Sequence, residues 1–230
     1  MGYTAFQVIY RMRKKVTLGI LVLILSLAAV SAACAHQPRI VSGYKVVEIR
    51  NTDVSQAFYG ELDGRPQEFI LTLQDKPDLY LGLLVPDIAN IKTDISLVLA
   101  GEGNEYVLDG LQYTWEYFYE EYAGDGYLQG PELTKALPRG KYTIKVYSPR
   151  NLGKYVLVVG KKEVFSPSEI WNMVKSLPYL KIKFFNKSVL HVFDGKVGKA
   201  ELIIVVVIIG LFMLIVVRFR KRSRRAAIIK

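Results

Sequence analysis

The sequence predicts a mainly β fold. The prediction is an exported antiparallel β-sandwich of jelly-roll type with one short helix, set between an N-terminal signal helix and a C-terminal transmembrane helix. Three observations carry it. Turn-forming residues recur about every eight to twelve residues through residues 44–159, the spacing of a sandwich or barrel. Between those turns apolar and polar residues alternate with the period of a half-buried strand. Apolar runs flanked by basic residues stand near both ends of the 230 residues, which is how membrane topology is written.

At the N-terminal end, residues 16–30 read VTLGILVLILSLAAV, preceded by RMRKK and followed by SAACAHQP. A charged region, an apolar region and Ala33-Cys34-Ala35 in an A-x-A pattern predict export with cleavage before His36, giving a signal segment over 1–35. An uncleaved anchor and lipidation at Cys34 are the alternatives; a lipoprotein box would want Leu three residues before the Cys. Cys34 is the single Cys, so a domain beginning at His36 has no disulfide and no thiol chemistry, and must be held by its own core.

The exported body is expected over 36–160. Asp63-Gly64-Arg65-Pro66 separates AFYGEL from EFILTL, Lys76-Pro77-Asp78 precedes LYLGLLV, and Gly101 to Asn104 separates ISLVLA from EYVL. KYTIKVYS and KYVLVVG, joined by Pro149-Arg150-Asn151-Leu152-Gly153, are expected to form a hairpin, with Tyr142, Ile144 and Val146 on one face. The whole is read as roughly seven to nine strands in two sheets. On DLYLGLLVPD and LPRGKYTIKVYSPRNLGKYVLVV, the chain resembles the bacterial pre-peptidase C-terminal domain group over about residues 56–160. That resemblance implies a non-catalytic exported module, sometimes binding calcium, protein or polysaccharide, with no catalytic residues to carry over; the membrane anchor and the missing peptidase depart from the group.

Residues 36–160 hold 12 basic and 17 acidic residues, whereas 161–201 hold 8 and 4. A juxtamembrane segment is therefore expected over 161–199. Ser166-Pro167-Ser168-Glu169 reads as a capping box opening a helix over 167–177, with Ile170, Met173, Val174 and Leu177 on one face and Pro178 as its stop. The helix is expected to pack on the sandwich or lie at the membrane. The following YLKIKFFNKSVLHVF alternates irregularly, and its basic and aromatic residues suit a membrane interface.

Residues 202–217 carry no charge and are followed by RFRKRSRR. Sixteen residues reach about 24 Å, so a transmembrane helix over 200–218 requires Glu201 and Arg218 to snorkel. The positive-inside rule then makes 219–230 a basic cytoplasmic tail, and localisation becomes the cell membrane with a single pass. Of 31 Lys and Arg, eleven lie in the two flanks, leaving 20 against 21 Asp and Glu. The net charge of +10 is thus a matter of topology, and nucleic acid is not an expected partner.

The most unusual stretch is residues 111–125, LQYTWEYFYEEYAGD. In an extended strand Tyr113, Trp115, Tyr117 and Tyr119 share one side. Such a row reads as a sandwich core face or a loop folded over one; functionally, with Tyr122 and Tyr127, it reads as an aromatic surface for a glycan or a peptide. Gly124, Gly126 and Gly130 are expected to let the chain turn around it. Glu116, Glu120, Glu121 and Asp125 read as a solvated acidic rim or, alternatively, as a Ca²⁺ site. With Glu102, Glu105 and Asp109 they could also supply a hydrolase's carboxylate pair. His36 and His191 lack zinc spacing. Asn186-Lys187-Ser188 is a possible glycosylation sequon. No nucleophile elbow, phosphate loop or dinucleotide fingerprint occurs.

These readings converge on a non-catalytic, membrane-anchored binding or assembly module outside the cytoplasm. Its expected partners are membrane lipid and either another envelope protein or a glycan. A membrane-bound hydrolase using carboxylates within 102–125, and a structural spacer of the envelope, are the alternatives.

Overall fold

The computed structural model describes residues 36–74, 78–164 and 166–228. The signal segment 1–35 with Cys34, the Lys76-Pro77 turn and Lys230 lie outside the described residues. Two compact units divide the chain, one running to Gly195 and the other including everything from Lys196 onward.

Among its described residues the first unit contains eleven strands: β1 (Gln37–Ile40), β2 (Val47–Ile49), β3 (Gln56–Asp63), β4 (Gln67–Leu73), β5 (Asp78–Pro86), β6 (Ser96–Gly101), β7 (Asn104–Leu108), β8 (Glu116–Glu120), β9 (Asp125–Ala136), β10 (Gly140–Tyr147) and β11 (Leu152–Val159). They form a six-stranded sheet in the order β1-β3-β11-β5-β9-β8 and a five-stranded sheet in the order β2-β4-β10-β6-β7. A mainly β sandwich is thus what the turn spacing predicted, with two differences. Short strands β1 and β2 raise the count, and both pair parallel with their neighbours, β3 and β4, so the sheets are antiparallel except at these edges.

The expected hairpin of β10 and β11 does not form. β10 lies between β4 and β6 in one sheet, whereas β11 lies between β3 and β5 in the other. The sequence difference between the strands explains this. β10 alternates, and Tyr142, Ile144 and Val146 are its buried face. In β11 Tyr155, Val156, Leu157, Val158 and Val159 are all buried, a continuous apolar run that needs cover on both faces. The link between them is a tight corner: Asn151, at a left-handed φ of 52°, donates to the Ser148 carbonyl, and the Leu152 N–H donates to Ser148 Oγ.

Between the sheets Phe58, Phe69, Leu81, Leu83, Leu97, Leu99, Ile144 and Leu157 form the main apolar cluster. A second cluster lies on the outer face of the six-stranded sheet, where Ala57, Tyr127, Val156 and Val158 are covered by Leu180, Phe184 and Phe185. Phe184 meets Tyr59 edge-on at 5.1 Å and Phe185 meets Tyr127 edge-on at 5.3 Å. Among the described residues, every member of both clusters falls between Ile40 and Phe185.

The covering segment begins with helix α1 (Pro167–Tyr179). Ser166 caps it, accepting from the Glu169 N–H at 3.2 Å, but Glu169 does not complete the expected box; its carboxylate accepts from Arg39 at 2.8 Å and ties α1 to β1. Pro178 does not stop the helix as expected and lies within its last turn. Inside a helix Pro costs its N–H and crowds the carbonyl four residues back, and a π-helical turn, Leu180–Phe184, follows directly. A 3-10 turn, Val189–Phe193, ends the unit.

The second unit contains helix α2 (Lys196–Ile228), which includes the uncharged run. Among the described residues no helix is long and apolar enough to cross a membrane.

Candidate binding surface

The stretch singled out by its aromatic and acidic residues forms the β8–β9 hairpin. β8 is the outermost strand of the six-stranded sheet, and among the described residues it pairs only with β9. Phe118 lies opposite Tyr127, whose ring belongs to the outer cluster, so Phe118 faces outward with it. Tyr117 and Tyr119 face the opposite way, toward the side of the five-stranded sheet. That sheet ends at β7, which contacts β9. Consequently β8 overhangs the sandwich. Tyr117 is 63% exposed and Tyr119 is 46% exposed, and Tyr113, in the bend before β8, is exposed as well.

The expected row of four aromatics on one side therefore divides by position. Tyr113, Tyr117 and Tyr119 are surface residues. Trp115 is not: it packs against the main cluster, and its Nε1 donates to the Gly110 carbonyl at 2.8 Å. Tyr127 is buried, its hydroxyl hydrogen-bonded to that of Tyr59 at 3.0 Å, and burial pushes both phenols well above their ordinary value. Tyr122 is half-buried in the turn. Of the three glycines expected to turn the chain, only Gly124 does so, at φ 76°. Gly126 and Gly130 are strand residues that leave room for rings. A Cβ at Gly126 would meet Tyr117 at 3.1 Å, and one at Gly130 would meet Trp115 at 2.5 Å.

The proposed calcium ligands are not gathered into a site. Asp125 is buried and spent on two lysines, Lys181 at 2.7 Å and Lys187 at 2.8 Å. Glu120 closes the hairpin turn, accepting from the Tyr122 and Ala123 N–H groups at 2.9 and 2.6 Å. Burial raises its carboxyl above the ordinary value, against those two hydrogen bonds. Glu116 and Glu121 are exposed. Upstream, Asp109 accepts from the Leu111 N–H, Glu102 sits in the β6–β7 turn and Glu105 lies on β7. Among the described residues no three His, Cys, Asp or Glu side chains stand close enough to hold a metal ion. His36 bonds Ser55, and His191 pairs with Asp194 at 2.7 Å, holding that carboxyl below its ordinary value.

Two features escaped the sequence reading. The first is Lys181, fully buried, with Nζ also donating to the Ala123 carbonyl at 2.8 Å. It fastens the segment after α1 to the β8–β9 turn, and no sequence pattern distinguishes it from Lys183 two residues on. The second is an open cleft of about 700 Å³ between β1 and β2, floored by Phe58 and Val47. Four of its charges pair with one another, Arg39 with Glu169 and Arg50 with Glu48. Asn186 of the sequon is exposed, and its Oδ1 accepts from Lys154 at 3.0 Å.

No family model matches the chain, and no curated protein matches it. Among solved structures it is similar to the pre-peptidase C-terminal domain of collagenase from Bacillus anthracis, at 11% identity over 52% of this chain and 97% of that one, with a TM-score of 0.32. It is also similar to PliG, a periplasmic inhibitor of g-type lysozyme from Salmonella Typhimurium, at 17% identity over 51% of this chain and 99% of that one (TM-score 0.31). A third is CorA, a surface-associated copper-binding protein of Methylomicrobium album BG8, at 9% identity over 53% of this chain and all of that one (TM-score 0.29). The first of these belongs to the domain group that the strand motifs resemble. At such low scores the sandwich rests on this chain's own strand pairings.

Proposed function

We propose that this chain is a membrane-anchored binding module working outside the cytoplasm, without catalysis, and that it holds an extended, basic segment of another envelope protein along the free edge of β8. The observation that carries the reading is the overhang. An edge strand presents unpaired backbone N–H and C=O groups along one side. Here that edge also carries exposed Tyr117, Phe118 and Tyr119 between Glu116 and Glu120. Addition of a strand would satisfy the backbone, and the tyrosines and the exposed Glu116 carboxylate would select cationic side chains. Self-pairing is disfavoured by the same residues: two antiparallel copies centred on Phe118 place Glu116 opposite Glu120, like charges face to face.

The signal-type layout of residues 1–35 supports export, and the uncharged run 202–217 followed by basic residues supports the anchor. Because that run is shorter than the about 20 residues of an ordinary span, its insertion relies on Glu201 and Arg218 reaching the headgroups. Resistance of the full chain to alkaline carbonate extraction tests the anchor.

The edge is tested with a decapeptide of alternating Lys and Val. Binding should protect β8 amides from hydrogen exchange, weaken with salt and fall at least tenfold in Glu116→Lys. If the peptide, at millimolar concentration, leaves β8 exchange unchanged, the edge reading is refuted. An equal response to a Glu-Val peptide would refute the charge selection.

A further inference from the structure

We infer that the outward stripe of α1 and the π-helical turn after it is a lipid-contact surface, built to lie on a bilayer rich in anionic phospholipid. The inward stripe of this segment is consumed by the fold, with Leu177, Leu180, Phe184 and Phe185 buried. Lys181 is locked to Asp125. That leaves the opposite stripe fixed in place and facing away from the sheet: Trp171 (60% exposed), Lys175, Tyr179, Ile182 and Lys183.

Its chemistry is that of an interfacial helix. Amphipathic rings sit at headgroup depth, an aliphatic side chain reaches below them, and lysines meet phosphates while their stems lie along apolar surface. The Lys175 ammonium sits 5.3 Å from the Trp171 ring centroid, an arrangement that keeps cation and ring together at one depth. Charge complementarity points to anionic lipid. From residue 166 to residue 193 the acidic residue is Glu169, already paired with Arg39, whereas residues 36–160 are acidic in balance. Immediately beyond, the 3-10 turn exposes Val189, Leu190 and Phe193 just before the chain enters α2. The inference rests on the anchored reading only in placing a bilayer nearby.

Trp171 provides the test, since Trp115, the other of the two tryptophans, is partly buried and packs against the main cluster. Full-length protein is reconstituted into phosphatidylcholine vesicles with or without phosphatidylglycerol, using ordinary or brominated acyl chains. Emission of the Trp171→Phe variant is subtracted. Blue-shifted Trp171 emission that brominated lipid quenches, more strongly with phosphatidylglycerol, is expected. Lys175→Glu with Lys183→Glu should abolish the phosphatidylglycerol effect. Emission insensitive to bromine in protein that still resists carbonate extraction would overturn the lipid surface, leave the anchor standing and turn the stripe into a protein-docking face. If the protein does not insert, residues 36–195, which contain both apolar clusters entire, are sedimented with phosphatidylglycerol vesicles. Binding there, weakened about fivefold per lysine removed, supports the surface, and its absence overturns it.

Discussion

Replacing Asp125 with Ala isolates what the buried ion pair contributes to the first unit. The carboxylate is 2% exposed and its partner Lys181 is not exposed at all. Removing it leaves the Lys181 ammonium in the interior with the Ala123 carbonyl at 2.8 Å, while Lys187, 29% exposed, can turn to water. Stranding one buried charge costs about 3–5 kcal/mol. Lys181→Met is milder, because Asp125 keeps Lys187 and the apolar stem is replaced; the loss is one donor to a carbonyl and one charge, about 1–3 kcal/mol. Since Ala and Met together leave no stranded charge, the double variant should be no less stable than Asp125→Ala alone, giving a coupling at least as large as the Lys181→Met cost, about 1–3 kcal/mol. Urea unfolding of residues 36–195, read by tryptophan emission with an unchanged m value, measures all three. A cost for Asp125→Ala below about 1 kcal/mol, or additive single-variant costs, would refute the claim that this pair fastens the segment to the hairpin.

Trp115→Ala should destabilise the unit by about 2–4 kcal/mol, through lost packing and the lost bond to Gly110, whereas Tyr117→Ala should change stability by less than about 0.5 kcal/mol; the same urea series compares them. Ser166→Ala should cost about 1 kcal/mol through the lost N-cap, and an unchanged midpoint would mean that the Arg39–Glu169 pair alone sets the start of α1. Burial holds the His36 imidazole below its ordinary 6.5, so its contribution to stability is complete above that value and is lost as pH falls through the folded-state value. Melting temperatures between pH 7.5 and 5 should therefore fall less steeply in His36→Asn than in the parent.

Strand positions were largely legible because they depend on local signals. The Asp63–Pro66 and Gly101–Asn104 turns fall where β3 gives way to β4 and β6 to β7. Sheet membership was not legible. Alternation says which side of a strand is apolar but not which neighbour it pairs with, so β10 and β11 read as a hairpin although they belong to different sheets. The aromatic row illustrates the same limit. Trp115 stands just before β8 and Tyr117 on it, two residues apart in a stretch that reads as one strand, yet the first packs against the main cluster and the second is exposed. Lys181 was invisible for another reason: its burial is set by Asp125, 56 residues away, whereas sequence patterns describe neighbours.

The central position of β11 constrains how the chain can fold as it is delivered, N-terminus first. Among the described residues only β6–β7 and β8–β9 pair as sequence neighbours within a sheet. β3 and β5, by contrast, are joined through a strand that ends at Val159. Until that last strand arrives, the six-stranded sheet exists as two separate halves with unpaired inner edges, the state in which β chains are slowest to close and most prone to pair with one another. A chain stalled or truncated before residue 152 would thus present two adhesive sheet edges instead of a shortened domain, and emergence of β11 is the event that commits it to its native form.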